Sequence, residues 1–324
     1  MIPVRFPCQR LADEGAEEMN MMYRTILVPL DGSEFAEEAL PLAKAIASQV
    51  GAELHLAHVI VSSPDVDFKT PQDDLAWRER AREGSGGYLK GHATAAEGEG
   101  ISTLTAVLEG RVVPTLIEYA QEQDVDLIAL TSHGHGGVRR WWLGSVADGL
   151  LRTGAVDLLL VRPWDDTEDR PRTESRFRRI VVALDGSQPA EAALPAAVQL
   201  ATAFGADVLA LRVVPKPLEL TSIYGVPGVR MSGEGHEERM EEAREYLHAV
   251  AEGDHGTPLE AHVFESPGAA DGIVEGASQL DADLVVISTR GHDEMTRLVI
   301  GSVADKVIRG TTRPVLVVRV PDED

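Results

Sequence analysis

The chain contains itself twice, and that limits its possible folds more than any other feature. Residues 26–52, ILVPLDGSEFAEEALPLAKAIASQVGA, align without a gap with residues 180–206, IVVALDGSQPAEAALPAAVQLATAFGA, at a shift of 154. Residues 124–152, DVDLIALTSHGHGGVRRWWLGSVADGLLR, align with 281–309, DADLVVISTRGHDEMTRLVIGSVADKVIR, at a shift of 157. The second copy therefore carries a net three-residue insertion between the two blocks. Two tandem units of one fold follow, and any element proposed for one copy has to work in the other.

Within each copy short apolar runs alternate with longer amphipathic stretches. In the first, strands are expected at 26–30, 54–61, 104–108, 126–131 and 158–161, and helices over 34–50, 73–95, 112–123 and 145–153. Runs such as Ile180–Leu184 and Leu284–Ile287 have no polar interruption, as in strands covered on both faces of a parallel sheet. Right-handed crossovers between such strands give a doubly wound α/β domain, here present twice. Pro41 and Pro195 fall inside the first helix of each copy, where the missing N–H bends or restarts it.

The expected organisation is a poorly ordered tail over 1–22, a domain over 23–163, a polar linker over 164–177 and a second domain over 178–321. The tail has no apolar core of a secretory signal and turns acidic at Asp13, Glu14, Glu17 and Glu18. The Gly/Pro-rich stretch 215–237 reads as a surface insertion, or alternatively as a loop that covers a ligand. The acidic run Glu237–Glu242 reads as a solvated helix face.

Charge narrows the partners. With 53 acidic against 30 basic residues, the formal charge of -23 opposes a nucleic-acid backbone and anionic lipid alike. No apolar run approaches the ~20 residues of a spanning helix. Cys8 is the single cysteine, so an intrachain disulfide and a cysteine metal cluster are both excluded. The expectation is a soluble, cytoplasmic protein. A small polyanion stays compatible with the charge, because backbone N–H groups act over a few ångströms while the global field is screened within ~10 Å.

Two motifs carry candidate chemistry. Each copy has a strand running into Asp-Gly-Ser, at Asp31-Gly32-Ser33 and Asp185-Gly186-Ser187. The serines suit the N-cap of the following helix and the glycines a sharp turn, whereas the aspartates sit at the carboxyl end of a strand, where crevices open in such sheets. The second motif is a strand end, a glycine, nine intervening residues and Gly-Ser opening a helix. It occurs as Gly134 with Gly144-Ser145 and as Gly291 with Gly301-Ser302. Glycine admits a phosphate close to the backbone, and the helix opening presents N–H groups and a hydroxyl. The structural alternative is that these residues serve only turns and caps.

These residues resemble the universal stress protein family, in its ATP-binding branch, over residues 23–162 and 178–320. The family pattern is Gly, two residues, Gly, nine residues, Gly, then Ser or Thr. Both copies match its last two glycines and its serine, while its first glycine is Thr131 in one copy and Ser288 in the other. The resemblance implies a Rossmann-like, adenine nucleotide alpha hydrolase-like fold. It also implies adenine contacts at the first-strand ends, Pro29 and Asp31 or Ala183 and Asp185, and at Val59 or Val213 through the backbone. Phosphates fall to Gly134, Gly144 and Ser145, or to Gly291, Gly301 and Ser302, with Mg or Mn as the accompanying ion and no dedicated carboxylate cage to hold it. Single-copy relatives pair through their last strands, which implies an intrachain pseudo-dimer with 158–161 beside 315–318. Asp157, where the second copy has Pro314, makes the two edges unequal.

Other candidates have plainer readings. His133 and His135 lack a third ligand at metal spacing and read as loop residues. Arg140 and Arg297 occupy matching positions and suit either a γ-phosphate or the surface. Trp141 and Trp142, with Leu298 and Val299 opposite, read as packing or an interface. No Walker loop, nucleophile elbow or placed general base stands out. The expected function is thus an ATP-binding, nucleotide-responsive regulatory module with an unidentified protein partner, not an enzyme. The alternatives are an interaction protein of the same fold with empty pockets, or a weak ATP hydrolase.

Overall fold

The structure, a computed structural model, describes residues 22–61, 71–132, 143–162, 176–216, 235–289 and 300–320. The first copy runs β1 (Thr25–Pro29), α1 (Glu34–Glu37), α2 (Leu40–Val50), β2 (Glu53–Ile60), α3 (Pro71–Gly98), β3 (Thr103–Glu109), α4 (Val112–Glu122), β4 (Leu127–Thr131), α5 (Ser145–Thr153) and β5 (Asp157–Val161). The second repeats it as β6 (Arg179–Ala183), α6 (Gln188–Glu191), α7 (Leu194–Phe204), β7 (Asp207–Pro215), α8 (His236–Ala251), β8 (Leu259–Ser266), α9 (Ala269–Gln279), β9 (Leu284–Ser288), α10 (Ser302–Gly310) and β10 (Val315–Val318).

The helix expected over 34–50 is two helices. It breaks after Glu37 and restarts at Leu40, with Pro41 in the first turn, where proline's missing N–H has no helical partner to lose. Pro195 restarts α7 in the same way. The spacing of Leu40, Ala43, Ile46, Ala47 and Val50 then turns one face of α2 onto the sheet. Gly51 closes that helix in the left-handed conformation.

Asp126 was expected within a strand and lies just ahead of β4 instead. Its carboxylate accepts the backbone N–H groups of Arg24 and Thr25, at 2.7 and 3.0 Å, and so pins the start of β1. Asp283 does the same for Arg178 and Arg179, at 2.7 and 3.0 Å. In α8, Glu237, Glu238, Glu241 and Glu242 are exposed and Met240 is buried, as an acidic outer face requires.

The strands form one ten-stranded sheet in the order β3-β2-β1-β4-β5-β10-β9-β6-β7-β8. Pairing is parallel throughout each copy, and only β5 and β10 run antiparallel, with Val315 opposite Leu160 and Val317 opposite Leu158. The last strands of the two copies thus pair as expected, which satisfies two edges that would otherwise lie open. Helices cover both faces: α2, α3, α7 and α8 line one apolar layer and α4, α5, α9 and α10 the other.

Polar contacts lock the seam. Arg162 Nη2 donates to the carbonyls of Ile308 and Arg309 at the end of α10, at 2.6 and 2.7 Å. Arg319, its counterpart, donates from Nη1 to Ala155 at 3.2 Å. Asp157 is buried at 4 % exposure and accepts the Tyr23 hydroxyl at 2.8 Å and the Arg319 N–H at 2.9 Å. Burial raises the pKa of both Tyr23 and Asp157, and the carboxylate facing the phenol adds to the rise at Tyr23. Phe177, within the compositional linker, is fully buried and packs its ring 4.8 Å from that of Phe204. Among the described residues no helix is long and apolar enough to cross a membrane.

Candidate functional site

In each half, consecutive strands run outward from β1 to β3 on one side and then jump back to β4 on the other. The carboxyl ends of β1 and β4, and of β6 and β9, therefore flank a topological switch point, where such sheets open a crevice.

The Asp-Gly-Ser turn closes the β1 end of that crevice. Leu30 N–H donates to Ala57 at 2.7 Å, which ties the turn to β2 two residues before Val59. Asp31 Oδ1 accepts both the Ser33 N–H (3.0 Å) and the Ser33 hydroxyl (2.5 Å), and the Ser33 oxygen accepts Ala36 N–H at 3.2 Å, capping α1. Gly32, at φ +84, holds the left-handed conformation that lets the carboxylate fold back on the serine. The second copy repeats this at Asp185 and Ser187, at 2.9 and 2.5 Å, with Gly186 at φ +88. The capping role of the serines is thus real, and it occupies one oxygen of each aspartate and leaves Oδ2 outside the turn.

The turn is also held from outside. Tyr88 on α3 donates to Glu37 of α1, and Tyr246 on α8 to Glu191 of α6, each at 2.9 Å. Burial and the facing carboxylate push both phenols well above their ordinary pKa. These four residues were missed from sequence, although Tyr88-Leu89 and Tyr246-Leu247 occupy equivalent helices and Glu37 and Glu191 are related by the shift of the repeat.

The other wall is the helix opening. Gly144 N–H donates to Ser132 at 2.7 Å and Gly301 N–H to Thr289 at 2.9 Å, which joins each helix start to the strand end that holds Thr131 or Ser288. Gly144 and Gly301 are themselves the N-caps of α5 and α10, and among the described residues no side chain caps either helix. A first helical turn has N–H groups without intrahelical partners. Here the cap offers no oxygen to take them, and Ser145 and Ser302 are exposed first residues of the helix, not caps. The contrast with Ser33 and Ser187 is direct: one pair of helix starts satisfies itself and the other does not.

Strand pairing and these bonds place Pro29, Asp31, Val59, Thr131, Gly144 and Ser145 along the carboxyl edge of the first half and Ala183, Asp185, Val213, Ser288, Gly301 and Ser302 along that of the second. Val59 and Val213 are part-buried near the ends of β2 and β7. Gly134, Gly291, Arg140, Arg297, His133, His135, Trp141 and Trp142 lie outside the described residues, as do Leu298, Val299 and residues 217–234. Among the described residues there is no group of three or more His, Cys, Asp or Glu side chains placed to hold a metal ion. Chemically, that edge offers an aspartate carboxylate on the turn and backbone donors with a hydroxyl at the helix opening.

Comparison with known proteins bears on the family and the fold. The universal stress protein family matches residues 22–162 and again 176–319. A universal stress protein of Methanocaldococcus jannaschii is 32% identical over 141 residues, 44% of this chain and 83% of that relative. A universal stress protein of Mycobacterium tuberculosis is 24% identical over 301 residues, 91% of this chain and 96% of its own length. Among solved structures, a universal stress protein from Archaeoglobus fulgidus superposes with a TM-score of 0.66 at 22% identity, covering 91% of this chain and 98% of that one, which shows the same tandem fold.

Proposed function

Because this chain belongs to the universal stress protein family, we propose that its two crevices bind ATP and that the protein is a nucleotide-responsive regulatory module of the cytoplasm. The observation that carries the reading is the pair of glycine-capped helix openings, each bonded to the end of the strand that precedes it, beside the switch point. Uncapped first-turn N–H groups with a positive helix end form a ready anion site. The triphosphate lies on Gly144-Ser145 or Gly301-Ser302, completed by Gly134 or Gly291. The adenine amino group donates to the second oxygen of Asp31 or Asp185, and the Val59 or Val213 backbone reads the ring edge. A divalent ion, Mg or Mn, enters on the phosphate oxygens.

Binding then spans two elements, the Asp-Gly-Ser turn and the α5 or α10 opening, and favours whichever arrangement of the crevice holds them at nucleotide distance. At the seam Arg309 Nη2, in the last turn of α10, lies 3.7 Å from Asp148 Oδ1, in the first turn of α5, so the α5 opening touches the other copy. A general base free to act at the phosphate end would argue for a hydrolase; the first-turn carboxylates nearest the openings, Asp148 and Asp305, are instead paired with Arg152 and Arg309. This supports a regulatory role over an enzymatic one.

The test is mass spectrometry of small molecules released by denaturing protein purified without added nucleotide. Adenine nucleotide at up to two equivalents per chain is expected. Its absence, together with no retention of added ATP, favours the interaction-protein alternative. Turnover of ATP above the uncatalysed background that is lost in Ser145→Ala with Ser302→Ala favours the hydrolase.

A further inference from the structure

The rims of the two crevices match residue for residue at the aspartate, glycine and serine positions, but what supports them does not. On β7, Arg212 precedes Val213, and its guanidinium lies 4.9 Å from the Tyr246 ring centre, in a cation–π contact. The same guanidinium packs on the bare face of the turn: a Cβ placed on Gly186 would sit 3.2 Å from both terminal nitrogens. Asp185 and Arg212 both act on the Tyr246 hydroxyl, in opposite directions. Arg212 is thus sandwiched between the α8 tyrosine and the Asp185-Gly186-Ser187 turn. Val213 points to the other face of the strand, where it packs against Gly272 of α9, so the arginine supports the turn without entering the space beside Val213.

The equivalent residue in the first copy is His58. A Cβ on Gly32 would meet nothing within 4 Å, and the Tyr88 ring takes His92 as its edge partner instead, at 4.8 Å. His58 Nδ1 is buried without a hydrogen-bond partner. The exposure of the turns follows. Asp31 is exposed and Ser33 half-buried, whereas Asp185 is half-buried and Ser187 is buried at 8 % exposure.

We propose that Arg212 is a positioning residue that makes the second copy's crevice the tighter of two unequal nucleotide sites. The inference rests on the nucleotide reading above. Two physical effects point the same way. A turn already clamped by packing loses less conformational freedom when a ligand orders it. A guanidinium beside the turn, always charged, also counters the negative field around the turn itself in a chain of net charge -23. Among the described residues the first copy's turn has no such guanidinium; it is held by Tyr88, through Glu37 and the Gly32 backbone.

The test is a calorimetric titration of the full chain with Mg-ATP. Two binding events of unequal affinity are expected, the tighter one abolished by Asp185→Ala and the weaker by Asp31→Ala. Arg212→His, which installs the first copy's residue, should weaken only the tighter site, roughly three- to tenfold, and Arg212→Lys should fall between. His58→Arg should tighten the weaker site. An effect confined to one site separates positioning from a general loss of packing, which would move both. Equal sites in the parent chain, or a tighter site indifferent to Arg212→His, overturn the inference and leave the nucleotide reading intact. No binding at all to the parent chain removes both.

Discussion

Tyr23 and Phe177 stand at the same place in the two copies, and so do Asp157 and Pro314, and in each copy the two partners suit one another. Where the ring carries a hydroxyl, the strand offers a buried carboxylate to receive it; where the ring is bare, the strand begins after a proline. A second contrast lies at the amino end of β2. There His55 is buried between Glu53 at 3.1 Å and the Tyr119 hydroxyl at 3.0 Å, while the second copy has Leu209 and Gly276 in those places. His55 holds the Glu53 carboxyl below its ordinary pKa, helped by Ser102. The two copies therefore differ in matched sets beneath the sheet, while the Asp-Gly-Ser turns and Gly-Ser openings stay the same. Packing can be exchanged as long as a whole set changes together; the crevice rim cannot, if it meets the same ligand twice.

Breaking one member of a set should cost more than changing the rim. Phe177→Ala, which empties a fully buried ring site, is expected to lower stability by about 3–5 kcal/mol, read from urea unfolding. Exchanging the members should hurt in both directions. Tyr23→Phe takes a donor from buried Asp157, and Phe177→Tyr buries a hydroxyl in the copy that has Pro314 in place of that carboxylate, each expected to cost about 1–3 kcal/mol. Removing the carboxylate in the Tyr23→Phe background should cost less than removing it alone, and a double-mutant cycle measures that difference.

Asp157 also sharpens the comparison through pH. Burial raises its pKa, so the folded chain holds the proton more tightly than the unfolded one. The stability this contributes is complete below the unfolded value of about 4 and is lost as pH rises through the folded value. Asp157→Asn should flatten that part of the stability curve, seen as a difference between variant and parent in urea midpoints from pH about 4 upward. The smallest effects belong to the helix starts. Ser33→Ala or Ser187→Ala should cost about 1 kcal/mol as lost caps, whereas Ser145→Ala or Ser302→Ala should leave the unliganded stability within about 0.5 kcal/mol.

Much of this was legible in the chain because the repeat doubled each signal. The strand spans, the restart at Pro41 and Pro195 and the pairing of 158–161 with 315–318 follow from local pattern and from the need to cover an edge. The Asp-Gly-Ser turn was legible down to its serine cap. Asp126 was misread as strand, because an aspartate ahead of an apolar run gives no local hint that it accepts N–H groups a hundred residues away. The inequality of Asp157 and Pro314 was visible, but its meaning needed Tyr23, 134 residues distant, at hydrogen-bond range. Arg212 escaped notice for the same reason: its role comes from Tyr246 and Gly186, which only the fold brings together.

The central claim is that the two glycine-capped helix openings hold a triphosphate. It is tested most directly by titrating Mg-ATP into the chain and into Gly144→Pro with Gly301→Pro, which removes the N–H that each cap donates to the neighbouring strand end. The account predicts heat of binding and a raised unfolding temperature for the parent and neither for the variant. A parent chain that shows no heat and no thermal gain at millimolar ATP would contradict it.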